Sequence, residues 1–164
     1  MVKSSVQIRG DRAVTYSILT DFSRYTEWYP DCEKCEVVAT RGTTVDVEIF
    51  LMRVKLTRMI LRYDCQPDCV TVSLVSSPDL EDFNGGYRIV DSENGEHTVL
   101  MEMDLVTSAP RFVTDLLVKS SLERQAAQLQ QRNRKIAGSR TKRPRCLLRL
   151  RADGSWTEFL PHGI

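Results

Sequence analysis

The sequence has no long hydrophobic run and very little histidine. Its longest apolar stretches, such as Ile49–Met52, fall far short of the roughly 20 residues that cross a membrane. The chain starts directly in an alternating pattern without an apolar signal segment, so a cytoplasmic protein is expected. Of the two histidines, His97 lies in or beside a predicted hairpin turn and His162 lies near the C-terminus. Neither is a promising general base.

Common catalytic motifs are missing as well. The sequence has no G-x-S-x-G elbow, no phosphate-binding glycine loop and no H-E-x-x-H pair. Neighbouring acids such as Glu81 and Asp82, or Glu102 and Asp104, fall in a loop or on the outer face of a predicted strand. We therefore expect no catalytic residue, no metal site and no cofactor.

The cysteines form two closely spaced pairs, Cys32 with Cys35 and Cys65 with Cys69. Thiolates at such spacings can hold zinc. Neither pair encloses a glycine, however, and antiparallel alternation would place the two pairs at opposite ends of a sheet. The odd total of five cysteines also argues for a reducing compartment, so free thiols are favoured over a zinc site.

Length and composition indicate one globular domain followed by a basic extension. The chain has 164 residues, 41% of them hydrophobic and 27% charged. Its net charge of +1 divides into about −3 for residues 1–138 and +4 for residues 139–164. The extension could add a hairpin. Its basic segment could also contact anionic lipid or RNA, although a solvated tail is the commoner outcome.

The first thirty residues predict one strand and two short helices. Val2–Arg9 alternates as a strand does, and Asp11 is a suitable N-cap for a helix from Arg12 to about Thr20. A second, shorter helix should end at Pro30. That helix carries a third of the aromatic residues of the whole chain: Phe22, Tyr25, Trp28 and Tyr29.

From Glu33 to Thr107 the hydrophobic period changes to two, which predicts consecutive antiparallel strands. A break near Arg53–Lys55 is needed because the run is too long for one strand. Pro78–Gly86 is expected to be a longer connection, and residues 91–96 a hairpin turn. The predicted strands are 34–40, 44–52, about 56–63, 70–75, 87–90 and 98–106.

A final helix is predicted with Pro110 in its first turn and its end at about Ala137, with Gly138 at its C-terminal cap. Phe112 and Leu116 are expected to pack on the sheet, and small residues such as Ser120 and Ser121 should leave a gap beside it. The predicted fold class is α+β: a curved antiparallel sheet of about seven strands wrapped around a long C-terminal helix, with two short helices between the first and second strands.

Two segments and the closing helix carry a family resemblance. The segments are DFSRYTEWYP at Asp21–Pro30 and LEDFNGGYR at Leu80–Arg88. Together they resemble the START-like (SRPBCC) helix-grip superfamily, and within it the polyketide cyclase/dehydrase and lipid transport group, which includes coenzyme Q-binding proteins. The resemblance spans about residues 2–137.

The resemblance implies a deep, mostly apolar pocket between sheet and helix, capped by the short helices. The family's Y-x-x-W/F-x-P element is matched by Tyr25, Trp28 and Pro30. Its element entering the sixth strand is matched by Phe83, Gly86 and Tyr87. For Trp28, plugging one end of the core and touching a ligand are equally good interpretations.

These considerations favour a noncatalytic protein that binds or transports a hydrophobic small molecule, such as a quinone, lipid or polyketide-like aromatic. The alternatives are a polyketide aromatase/cyclase enzyme and a ribosome- or RNA-associated interaction protein. The oligomeric state is left open. A register error of one residue would turn the predicted inner face of a strand outward. The candidate lining residues are Tyr25, Trp28, Val47, Ile49, Met59, Leu61, Leu74, Phe83, Tyr87, Met101, Met103, Phe112, Leu116 and Ser120.

Overall fold

A single curved sheet and one long helix make up most of the protein. The computed structural model describes residues 1–53, 55–92, 96–141, 147–150 and 156–159, with side chains through residue 139. Seven antiparallel strands pair in the order β1-β7-β6-β5-β4-β3-β2, so the first strand pairs with the last of the seven. The long helix packs against β1 and β7. The predicted fold class is confirmed.

The elements follow one another as the hydrophobic periods predict. Between β1 (Val2–Arg9) and the other strands come α1 (Arg12–Thr20) and a 3-10 helix (Phe22–Glu27). The side chain of Asp11 caps α1 by accepting a hydrogen bond from the backbone N–H of Ala13. The remaining elements are β2 (Cys32–Arg41), β3 (Thr44–Met52), β4 (Leu56–Gln66), β5 (Cys69–Ser76), β6 (Asp82–Asp91), β7 (Glu96–Val106), α2 (Arg111–Thr141), β8 (Leu147–Leu150) and β9 (Trp156–Phe159).

Strand β4 shows why the alternating pattern was a reliable guide. Its side chains Met59, Leu61 and Tyr63 are buried on the helix side of the sheet. The alternate residues Arg58 and Arg62 point outward, where they form ion pairs with Glu48 and Asp46 of β3. Because charged side chains keep their hydration on that face, the pattern selects one orientation for the strand.

The connection before β6 is shorter than predicted. The prediction of a connection over Pro78–Gly86 is wrong, because β6 already begins at Asp82 and runs through both glycines. A Cβ atom on Gly85 would lie 2.5 Å from the carbonyl oxygen of Glu102, and one on Gly86 would lie 2.3 Å from that of Val70. The two glycines therefore allow neighbouring backbones to approach closely within a strand, and they do not form a turn.

Helix α2 differs from its prediction in length and in orientation. It continues through Gly138 to Thr141, and Gly138 does not adopt a positive φ, so it is not a C-terminal cap. The inward stripe consists of Thr114, Val118, Leu122, Gln125, Leu129 and Asn133. The prediction that Phe112 and Leu116 face the sheet is wrong: they are 75% and 67% exposed. The inward stripe is spaced by three or four residues, and these two positions fall outside it.

A buried polar contact fixes the C-terminal half of α2. The hydroxyl of Thr15 in α1 donates to Oδ1 of Asn133 at 2.8 Å. Nε2 of His97 lies 2.8 Å from the same hydroxyl oxygen, within hydrogen-bond distance. Burial lowers the pKa of His97, as does the charge of Arg12 nearby. The neutral imidazole thus links β7, α1 and α2.

The two pairs of closely spaced cysteines lie near opposite ends of β3, as the antiparallel alternation of the strands predicted. Cys32 and Cys35 pair with Leu51 and Ile49 at its C-terminal end. Near the other end, the backbone N–H of Cys65 donates to the carbonyl of Thr43. Alternation of the chain direction in the sheet accounts for this separation.

Beyond α2, strands β8 and β9 of the extension, where the sequence suggested an added hairpin, pair with each other as a separate two-stranded sheet. The side chains of residues 140–164, including His162, lie outside the described residues, as do residues 93–95 within the predicted turn at 91–96. Contact of the extension with anionic lipid or RNA stays a prediction. In the described part of the chain, no helix combines the length and apolarity required to span a membrane.

Candidate functional site

The aromatic residues of the 3-10 helix and the segment after it form a filled cluster. Tyr25 stacks on Tyr29 with ring centroids 5.5 Å apart, and Trp28 meets both rings edge-on. Phe22 lies against Tyr63 of β4 at 4.7 Å. All these rings are buried, and the indole N–H of Trp28 has no hydrogen-bond partner among the described residues. The cluster therefore packs one side of the core, and Trp28 lies within it as a plug.

Gln125 fills the space between the middle of α2 and the sheet. Its Oε1 accepts a hydrogen bond from the hydroxyl of Tyr87 at 2.9 Å, and its Nε2 donates to the hydroxyl of Tyr29 at 3.2 Å. Burial raises the pKa of both tyrosines, so their hydroxyls stay protonated. Only about 10 Å³ of free volume remains beside Tyr87 and Gln125. At this depth the space between α2 and the sheet is thus filled by side chains.

A larger cavity opens beside the first half of α2. We call it the mouth cavity; its volume is about 320 Å³. Its walls come from α2, from β3 and β4, from β6 and β7, and from Tyr29 after the 3-10 helix. Most of the lining is apolar, which suits a small hydrophobic molecule. The apolar lining residues are Leu51, Met59, Leu80, Phe83, Met103, Leu105, Leu117 and Val118.

Charged residues stand on one side of the mouth cavity. Asp31, which has a positive φ of 63°, accepts two hydrogen bonds from Arg124, one of them at 2.9 Å. Arg53 donates from Nη1 to the carbonyl of Leu117 at 2.6 Å. Lys55 forms an ion pair with Asp79. Burial lowers the pKa of Arg53, and the neighbouring charge of Arg124 lowers it further. The rim is therefore polar, and the walls below it are apolar.

A second depression, of about 510 Å³, lies on the outer face of the sheet. Polar and charged side chains of β1, β6 and β7 surround it, including Ser5, Arg88 and Glu102. It is larger than the mouth cavity, but it lies on the face away from the helix and its surface is less apolar than that of the mouth cavity. We therefore regard the mouth cavity as the better candidate for a hydrophobic ligand.

The structure brings a minority of the predicted residues to the cavity. Met59, Phe83 and Met103 line it, while Tyr87 joins Phe83 and Met103 around the small interior space. Leu74 and Ser120 are half-buried away from it, and Phe112 and Leu116 face outward. The other predicted residues are packed in the core away from the mouth cavity: Tyr25, Trp28, Val47, Ile49, Leu61 and Met101.

Sequence reasoning placed Ser121 beside a gap but chose other residues of α2 as ligand-lining residues. Leu117, Val118 and Ser121 line the cavity from α2 in place of Phe112, Leu116 and Ser120. The spacing of Val118, Leu122, Leu129 and Ile136 was the available signal, because it marks an apolar stripe at helical period. The sequence suggested that an arginine of the strand region, such as Arg53, could orient a polar ligand group if it pointed inward. The period of two gave no direction for Arg53, which follows directly after β3.

Several solved structures share this fold. A START superfamily protein from Mycobacterium smegmatis is 16% identical and has a TM-score of 0.71, with 82% of this chain and 97% of that chain covered. The Zhui aromatase/cyclase from a Streptomyces species is 15% identical with a TM-score of 0.70, covering 87% and 95%. A fragment of a STAR-related lipid transfer protein from Xanthomonas axonopodis is 14% identical with a TM-score of 0.64, covering 80% and 84%. At these identities the likeness shows the fold.

Comparison at the level of sequence is more specific. No curated protein matches this sequence. A sequence model of the family described as polyketide cyclase / dehydrase and lipid transport matches residues 10–132, from the turn before α1 well into α2. The matched region contains the aromatic cluster, β2 to β7 and the whole lining of the mouth cavity. Since the match covers well over half of the chain, this protein belongs to the polyketide cyclase/dehydrase and lipid transport family.

Proposed function

We propose that this protein binds a hydrophobic small molecule in the mouth cavity and acts as a carrier or sequestering protein. The observation that carries the proposal is the apolar lining of a cavity of about 320 Å³ between α2 and the sheet. Burial of apolar ligand surface would provide the affinity, and the polar rim would orient the ligand. A quinone, a lipid chain and a polyketide-like aromatic all fit this chemistry.

An aromatase/cyclase enzyme is the second candidate. Tyr29 and Arg53 line the same cavity, so a hydroxyl and a guanidinium are available to polarise a carbonyl of a bound chain. The acids of the lining, Asp31 and Asp79, are engaged by Arg124 and Lys55. Neither is therefore free to act as a general base, and we favour binding without catalysis.

The first experiment asks whether an apolar molecule occupies the protein. Native mass spectrometry and solvent extraction of the purified protein should detect a bound hydrophobic compound, and a panel of quinones, lipids and aromatic compounds should contain a binder. If nothing apolar co-purifies and no panel member binds, the carrier function is wrong. Conversion of a polyketide-like panel member to a cyclised product would favour the enzyme.

The second experiment places the ligand in the mouth cavity. Ser121 lines the cavity, whereas its neighbour Ser120 is half-buried outside it. Ser121→Trp should fill the cavity and weaken binding of the panel ligand by about tenfold or more. Ser120→Trp is the matched control and should retain wild-type affinity. Equal affinities of the two variants, both with wild-type unfolding midpoints, would show that the ligand binds elsewhere.

A further inference from the structure

The rim of the mouth cavity holds more positive charge than its acids compensate. Three cations, Arg53, Lys55 and Arg124, stand beside two carboxylates, Asp31 and Asp79. Lys55 is paired with Asp79, and the two hydrogen bonds from Arg124 occupy the carboxylate of Asp31. Arg53 also lies within ion-pair distance of Asp31, so two arginines share one carboxylate and one positive charge is in excess.

The contacts of Arg53 leave most of its hydrogen-bond donors unused. A guanidinium has five N–H donors, and within the described part of the chain Arg53 uses one, to the carbonyl of Leu117. Its Nε lies 3.7 Å from Oδ2 of Asp31, which is longer than a hydrogen bond. Its side chain is 29% exposed, so the free donors are partly withdrawn from water but still reachable from the cavity.

We propose that Arg53 binds the carboxylate of an amphipathic ligand whose hydrocarbon body lies in the mouth cavity. The inference rests on the proposed function and specifies its substrate class: an organic acid with an apolar chain or ring system. Arg53 and the apolar side chains of Met59, Phe83 and Met103 line the same cavity, so one molecule can reach both. A planar guanidinium matches the geometry of a carboxylate, and partial burial strengthens the charge-assisted hydrogen bond.

Calorimetric titration with dodecanoic acid and with its methyl ester tests this assignment. The two probes share a hydrocarbon chain and differ in the anionic group. The wild-type protein should bind the acid about tenfold more tightly than the ester or better, as expected for hydrogen bonds to a charged group. In Arg53→Gln this preference should disappear, and ester affinity should stay within about twofold of wild type.

Arg58→Gln is the matched control, because Arg58 is an arginine of the neighbouring strand that points outward to Glu48. It should keep the preference for the acid, and Arg53→Lys should keep part of it. If neither probe binds to the wild-type protein, the proposed function fails for chains of this class. Equal binding of acid and ester would leave the cavity proposal standing and overturn the role of Arg53. If Arg53→Gln weakens binding of both probes equally, the role of Arg53 is structural, because it then only holds the rim to α2 through Leu117.

Discussion

The interior and the mouth of this fold lie between the same helix and the same sheet, yet they differ in free space. In the interior, Gln125 and two tyrosines meet through hydrogen bonds and leave about 10 Å³. At the mouth, Ser121 stands opposite aliphatic side chains and about 320 Å³ stays open. The fold by itself therefore does not make a pocket. Side-chain length at a few facing positions decides where the space lies.

The largest difference between the two regions should appear in stability. Leu122 of α2 is 1% exposed in the interior, whereas Leu116 faces solvent beside the mouth. Leu122→Ala should lower the free energy of unfolding by about 2–5 kcal/mol, since it removes buried methyl groups and leaves a cavity. Leu116→Ala, the same change on the same helix, should alter it by less than about 0.5 kcal/mol. Urea denaturation of both variants measures this, and equal losses would contradict the assigned helix face.

A smaller effect is expected from the interior hydrogen bonds. Tyr87→Phe removes the donor to Oε1 of Gln125 and leaves that buried oxygen unsatisfied. We expect a loss of about 1–3 kcal/mol in the free energy of unfolding. Tyr16→Phe is the control, because the half-buried Tyr16 makes no hydroxyl hydrogen bond to the described residues. A neutral result for Tyr87→Phe would mean that hydrogen bonding does not keep the interior closed.

The smallest expected effect is a pH dependence of stability that comes from His97, which lies near the C-terminal half of α2. Burial lowers the pKa of His97 in the folded protein, so the unfolded chain takes up a proton at a higher pH than the folded chain does. Stability should be complete above about pH 6.5, the ordinary histidine value, and should fall as the pH drops below it toward the folded pKa. Urea denaturation between pH 7.5 and 5.5 measures the slope.

His97→Gln is the control for that slope, which should be reduced in the variant. The carboxyl groups with lowered pKa, Glu27, Asp46 and Asp104, contribute at still lower pH, because their ordinary values already lie near 4. An identical slope in wild type and variant would show that His97 is not the group responsible. Ligand binding at the mouth should be unaffected by the substitution.

Most of the fold could be predicted because its strands alternate. In β4, for example, the buried Met59 and Leu61 and the outward Arg58 and Arg62 follow the period of two without exception. The glycines in β6 misled the prediction, since Gly85 and Gly86 look like a turn signal. Glycine is required at both positions because the backbones of β5 and β7 approach closely there, a long-range contact that the local sequence pattern does not show.

The site was predicted less well, because a helix has more than one plausible apolar face. Phe112 and Leu116 are spaced as an inward stripe would be, but Val118, Leu122 and Leu129 occupy that role. Cavity residues Met59, Phe83 and Met103 were identified from strands, where only two faces exist. The orientation of α2 about its own axis buries Gln125 between two tyrosines. In that orientation the stripe that begins at Phe112 does not face the sheet.

The sequence by itself determined the element order, the antiparallel sheet and the family, because alternation, capping and the aromatic and glycine segments are local signals. Tertiary structure decided where the free space lies and which charge faces it. The aromatic cluster of Asp21–Pro30 proved to be packed core with Tyr29 alone of its rings at the cavity. Arg53 reaches that cavity because the β3–β4 connection meets α2 at Leu117. Cavities and rim charges depend on contacts between distant segments, and packing in three dimensions sets those contacts.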